Sequence, residues 1–188
     1  MKSMTPGATT ALPTFVYGTL MNPQVVSTLL GRSWSPQEEA AILPARLYGH
    51  ARHRVQGHVF PATIPTKNQD DFVEGLLLPP TLSSLEMSLL DYFEGDEYRR
   101  MASPVHVLVE NDEPKAVETS TSDIAMPNTS TTVDAQVYLW KDDLISQLEI
   151  GKEWSYEDFC SLHLEWYLTH TVGPCREEMV RLGMTASD

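Results

Sequence analysis

The sequence predicts a single α+β domain organised around a mixed, barrel-like sheet. Three observations carry that expectation. About six or seven short strand-like segments recur between residues 14 and 140. Only two short helical patterns interrupt them, so the regular alternation of a doubly wound parallel sheet is excluded. Helical spacing then dominates the end of the chain. With 188 residues, 41% hydrophobic and 21% charged, the chain can bury one sizeable core. The expected layout is a flexible leader at 1–13 and one domain at 14–188.

Each element has its own signal. Residues 14–18 read as a buried strand running into the turn Tyr17-Gly18-Thr19-Leu20. Asn22 then offers an N-cap, Pro23 the first helical position and Gly31 the stop, with Val26, Leu29 and Leu30 on one face. Residues 41–58 read as strand-like, interrupted by Pro44, Gly49 and Gly57. Phe60 to Pro65 is extended, because each proline disfavours helix before it. A polar turn at 67–71 leads into a strand from Phe72 to Leu78, closed by Pro79 and Pro80. Ser83 and Glu86 have capping-box spacing and open a second helix. Its apolar stripe reads Leu82, Leu85, Leu89 and Tyr92, and it ends near Gly95. Val105, Val107 and Val109 alternate as in a strand, and Val133 to Trp140 forms the last one. Between them, residues 111–132 lack apolar periodicity and are expected to form a long mobile loop inside the domain. In the tail, Ser155 and Asp158 resemble a cap. Tyr156, Phe159, Cys160, His163, Trp166 and Tyr167 follow helical spacing until Gly173-Pro174 breaks it, and a short helix follows to about Leu182.

Several function classes fall away. The formal net charge of −13 repels polyanions, so no nucleic-acid partner is expected. No apolar run approaches the ~20 residues that span a bilayer, and the first residues lack a secretory h-region. A soluble, cytoplasmic protein without a membrane partner is expected. The two cysteines, Cys160 and Cys175, form no disulfide framework or CxxC and read as free or buried thiols in a reducing compartment. His50, His53 and His58 lie among Arg46, Arg52 and Arg54. Strand alternation splits them between two faces, and no metal-ligand spacing is present, so no metal site is expected. No G-x-S-x-G, G-x-G-x-x-G or G-x-x-x-x-G-K-[ST] pattern occurs, which removes support for a serine nucleophile and for nucleotide binding.

Two segments could carry chemistry. A strand, a tight turn and a helix start succeed one another at Phe15–Pro23, and such an order aims backbone N–H groups at one point. The Tyr17–Leu20 turn is then either a plain connection or an anion cradle, with Gly18 admitting a ligand to the backbone and Thr19 adding a hydroxyl. In Phe93-Glu94-Gly95-Asp96-Glu97-Tyr98-Arg99, Asp96 and Glu97 read as solvated turn carboxylates. Glu94 follows an apolar face. It is either a surface group or a carboxyl in a partly apolar pocket, whose raised pKa would suit a general base near neutral pH.

In these segments the chain resembles the γ-glutamylcyclotransferase-like superfamily, in its AIG2-like branch. The matching stretches are Phe15–Leu20, Phe60–Ile64, Val73–Leu77, Leu90–Arg100 and Ala135–Trp140. The likeness covers about residues 14–140, and residues 111–132 and the tail from about Gly151 look like elaborations. It implies a small mixed β-barrel with flanking helices and extra C-terminal helices, no cofactor, and a small-molecule γ-glutamyl substrate. It further implies Glu94 as the catalytic acid/base, and a substrate α-carboxylate held by Tyr17, Gly18, Thr19 and Leu20. Tyr98 and Tyr138 match pocket tyrosines of the branch, or are simply core. The implied reaction is ring closure of a γ-glutamyl amide to 5-oxoproline with release of an amine or peptide. Two alternatives keep the fold: the same base acting on a non-glutamyl metabolite, and a binding module without turnover.

Overall fold

The computed structural model describes residues 11–108 and 131–184. The expected leader at 1–13 and loop at 111–132 lie almost wholly outside the described residues.

Five strands close a barrel: β1 (Thr14–Val16), β2 (Leu43–Tyr48), β5 (Phe72–Leu78), β6 (Tyr98–Val107) and β7 (Thr131–Trp140), in the order β1-β5-β2-β6-β7. β1 is antiparallel to β5, with Phe15 opposite Leu77, and parallel to β7, with Phe15 opposite Val137. All other pairings in the barrel are antiparallel. The barrel interior is filled by Phe15, Tyr17, Ala45, Leu47, Val73, Leu77, Val105, Val107, Ala135, Val137 and Leu139. Gly75 of β5 has a packing reason: a Cβ there would lie 2.2 Å from the Val16 carbonyl oxygen and 2.7 Å from the Phe15 ring. A second sheet, β4 (Pro61–Pro65), β3 (His50–Val55) and β8 (Leu148–Glu149), is laid beside the barrel in the order β4-β3-β8.

The helices pack on the barrel through a second core. In α1 (Pro23–Leu30), Asn22 accepts hydrogen bonds from the Gln24 and Val25 amides, and Gly31 ends the helix at φ 70°. α2 (Pro36–Ala40) is absent from the sequence expectation because it buries no residue and so shows no apolar stripe. Its signature is the Ser35/Glu38 capping box with Pro36 in the first turn. α3 (Ser84–Glu94) begins with the expected Ser83/Glu86 capping box. Arg32 links the two boxes, its guanidinium bonding Glu38 at 3.0 Å and Glu86 at 2.5 Å. Arg32 and the Ser35 amide hold the Glu38 carboxyl down at about 2.

Four sequence expectations are corrected. The 41–58 stretch is two strands in different sheets, turned apart at Gly49 with φ 68°. The buried stripe of α3 is Leu89 and Leu90, whereas Leu85 and Tyr92 are exposed. The barrel turns the helix a little from the assumed face, and spacing alone cannot tell i+3 from i+4 neighbours. β6 begins at Tyr98, earlier than the valine alternation suggested. Its first residues alternate little because most are exposed, yet they pair in register with β7, Tyr98 opposite Trp140. Gly173-Pro174 does not break the tail. α4 (Tyr156–Asp158), α5 (Leu164–Tyr167) and α6 (Gly173–Arg181) are joined by π-helical turns at Phe159–His163 and Leu168–Val172. Pro174 sits in the first turn of α6, and the wide turn before it relieves the carbonyl clash that proline brings.

Candidate active site

Where the barrel mouth meets the helical layer there is a cavity of about 320 Å³. Five pieces of chain wall it. The end of β1 contributes Phe15 to Leu20, and the loop into β4 contributes His58, Phe60 and Pro61. The end of α3 and start of β6 contribute Phe93, Glu94, Glu97 and Tyr98, with Tyr138 from β7. The C-terminal helices add Tyr167, Thr171 and Cys175. No lysine or arginine is among these lining residues.

Each wall is held from behind. β1 is paired on both sides, so the chain leaves the barrel at Tyr17 on a rigid strand. The Tyr17 hydroxyl donates to the Tyr138 carbonyl at 2.6 Å. Its own carbonyl accepts from Arg52 Nη1 at 2.8 Å. In a trans peptide the following N–H points the opposite way, so this bond fixes the direction of the Gly18 N–H. Gly18 and Thr19 carbonyls accept from the Met21 and Asn22 amides, closing a short 3₁₀ turn at Thr19–Met21. The amides of Gly18, Thr19 and Leu20 carry no turn or cap hydrogen bond among the described residues. The missing side chain of Gly18 was expected to serve a ligand. A Cβ there would instead meet Pro61 Cγ at 2.9 Å, so the glycine also serves packing of the turn on β4.

Glu94 is the last residue of α3, and Gly95 turns the chain away at φ 72°, ψ −168°. Leu89 and Leu90 anchor that helix in the core. Glu94 is half-buried by exposure, because the cavity admits water to it, yet protein packs about it densely enough to desolvate the carboxyl. Desolvation, and then the charge of Asp91 one turn earlier, push its pKa up to about 8. Among the described residues no hydrogen bond or cation opposes that rise. Asp91 is engaged elsewhere: its Oδ1 accepts from the Tyr138 hydroxyl at 2.8 Å and forms an ion pair with Arg100, Nε at 3.1 Å.

Four tyrosines surround this carboxyl. Burial, reinforced by the Glu94 charge, holds Tyr17, Tyr98, Tyr138 and Tyr167 above the ordinary tyrosine range, so all four remain neutral phenols. A cavity with a neutral-to-basic carboxyl, free backbone amides on one wall and no cation among its described lining residues can move a proton beside a bound anion.

Every residue named from sequence, Tyr17, Gly18, Thr19, Leu20, Glu94, Tyr98 and Tyr138, lines this one cavity. Asp96 is exposed, as expected, but Glu97 is exposed at the cavity rim rather than merely solvated. Of the strand histidines, His53 is buried and bonded to the Gly151 amide, whereas His58 stands in the cavity wall, its ring tilted against Phe60. Sequence reasoning missed Tyr167, Thr171 and Cys175. Their i, i+4, i+8 spacing was the available signal, but only the folded tail carries them to the barrel mouth. Among the described residues no cluster of metal-ligating side chains is present.

Residues 14–160 match the family model described as γ-glutamyl cyclotransferase, AIG2-like. Among curated proteins, AIG2-like protein D of Arabidopsis thaliana is 33% identical over 88% of this chain and 90% of its own length. AIG2-like protein B of the same plant is 30% identical over 82% of this chain and 72% of its own. Among solved structures, an Arabidopsis thaliana protein determined in solution superposes with a TM-score of 0.51 at 23% identity. It covers 97% of this chain and 88% of that one. That last likeness bears on the fold alone.

Proposed function

The chain belongs to the AIG2-like γ-glutamyl cyclotransferase family, and we propose that it converts a γ-glutamyl amide to 5-oxoproline and a free amine or peptide, with Glu94 as acid and base. The observation that carries this reading is the placement of Glu94. A carboxyl raised to about 8 shares one cavity with the free amides of the Tyr17–Leu20 turn. The turn would take the substrate α-carboxylate, since among the described residues no lysine or arginine lines the cavity to compete for it. The substrate α-amine is then held near Glu94, and the side chain folds back so that the γ-carbonyl faces the amine.

The reaction is internal and needs no co-reactant. The amine nitrogen forms a bond to the γ-carbonyl carbon, and Glu94 accepts the proton that the nitrogen sheds. The tetrahedral intermediate collapses, the bond from that carbon to the leaving nitrogen breaks, and Glu94 returns the same proton to the leaving nitrogen. One carboxyl poised near the operating pH serves both steps. Closing a five-membered ring within one bound molecule costs little further entropy.

The deciding experiment is turnover of γ-glutamyl amines, γ-glutamyl dipeptides and glutathione, with 5-oxoproline measured by mass spectrometry. Glu94→Gln keeps the size and loses the proton site, so kcat is expected to fall by ~10²–10⁴-fold. Asp96→Asn, at an exposed neighbour, is expected to leave kcat unchanged. A glutamine variant with wild-type turnover would remove the proposed mechanism. Binding of such substrates without product would favour a binding module instead.

A further inference from the structure

The hydroxyl protons in the cavity wall are unequally committed. A phenol has one proton to donate. Tyr17 spends it on the Tyr138 carbonyl, Tyr98 on the Pro61 carbonyl at 2.8 Å, and Tyr138 on Asp91. These three offer a ligand only oxygen lone pairs. Tyr167 is different, because its hydroxyl makes no donated bond among the described residues. Tyr167 lines the cavity wall, which leaves its proton available to a ligand there. The ring itself is locked, buried in T-shaped contact with Phe159 at 5.3 Å and Phe93 at 6.4 Å between centroids.

Its position is equally particular. Tyr167 lines the same cavity as Thr19 of the turn and Glu94. It therefore borders the space that the amides and the base share. It also lies outside residues 14–160, the part of the chain that the family model matches. The helical tail thus adds to the barrel mouth a donor that the matched region does not contain.

We infer that Tyr167 donates a hydrogen bond to the substrate's γ-carbonyl oxygen and holds the negative charge that develops there during ring closure. The inference rests on the cyclotransferase reading above. In a substrate whose amine is held at Glu94, the γ-carbonyl carbon must close on that amine, inside the cavity that Tyr167 walls. The amine nitrogen attacks that carbon, the carbonyl electron pair moves onto oxygen, and the Tyr167 O–H stabilises it without surrendering its proton. On collapse the pair reforms the carbonyl of 5-oxoproline. Burial suits this role, since it keeps the phenol neutral and its hydrogen bond strong.

The test is Tyr167→Phe, which keeps the locked ring and removes only the hydroxyl. Loss of one oxyanion donor lowers kcat by ~10²–10³-fold, so a fall of that order is expected with KM changed less than about threefold. Incorporation of 3-fluorotyrosine at 167 retains the ring and makes the hydroxyl a stronger donor, and kcat is expected to be kept or raised. Wild-type kcat in the phenylalanine variant would overturn the inference while leaving the cyclotransferase reading intact. A rise in KM alone would overturn it too, because it would assign the hydroxyl to ground-state binding. Should the phenylalanine variant not fold, the fluorotyrosine protein decides: a large loss of kcat there would mean that ring packing, not donation, matters. A wild-type protein that releases no 5-oxoproline from any γ-glutamyl amide would sink the parent reading and this one with it.

Discussion

Replacing Glu94 by glutamine should change stability in a way that grows with pH. The carboxyl is raised from an ordinary 4.5 to about 8 in the folded protein. In the unfolded chain water restores it to the ordinary value. Between those two values the native state keeps a proton that the unfolded state has released. Stability therefore falls as pH rises through the window and levels off above about 8. Each pH unit contributes ~1.36 kcal/mol, so the window sets a ceiling of ~5 kcal/mol on the loss. Water that reaches Glu94 through the cavity relaxes the desolvation, and about half of that ceiling is expected. Glutamine binds no proton and escapes the whole effect. The four tyrosines that the Glu94 charge raises stay neutral throughout the range measured, so the comparison isolates the carboxyl. Urea unfolding followed by circular dichroism, from about pH 5 to about pH 9, measures the difference. The two proteins should unfold at similar urea concentrations near the acid end. Above about pH 8 the glutamine variant should be more stable by ~2–3 kcal/mol. A difference that stays constant across the range would refute the reasoning, because it would mean that Glu94 ionises normally and that the cavity does not desolvate it.

Two further outcomes follow from the same geometry. The rate at low substrate should rise as pH passes through about 8, since Glu94 must lose its proton to act as base; a flat kcat/KM between about pH 6 and pH 9 would speak against that assignment. Gly75→Ala should destabilise by ~3 kcal/mol or more in urea unfolding, because its Cβ lands on the Val16 carbonyl and neither backbone can yield within a paired ladder; an unfolding midpoint within experimental error of wild type would show that β1 and β5 can separate.

Local order was readable wherever its cause is local. The cap at Asn22, the stop at Gly31, the Ser83/Glu86 box and the end of α3 at Gly95 all appear where the residues place them. Each depends on side chains within a few positions of the backbone group they satisfy. The β5 span, Phe72 to Leu78, was equally plain, bounded by a polar turn and two prolines. The short helix α2 escaped, because five residues with no buried face show no periodicity even when a capping box announces them. The strand ends of β6 were blurred for a related reason. Their residues are fixed by pairing with β7, and a partner about two dozen or more positions away leaves no local mark.

The sequence by itself determined the class of fold and the two short segments that supply the turn and the carboxyl, since strand, turn and capped helix are specified by neighbouring residues. Only the tertiary structure decided that these segments share a cavity and how Glu94 behaves inside it. A raised carboxyl depends on what packs around it and on the charge of Asp91, both of which arise when α3 docks on the barrel. The same holds for the unspent hydroxyl of Tyr167. Which phenols have already given their proton to Tyr138, Pro61 or Asp91 is a matter of distance across the fold, and distance across the fold is set by closure of the barrel and the return of the tail, not by any run of residues.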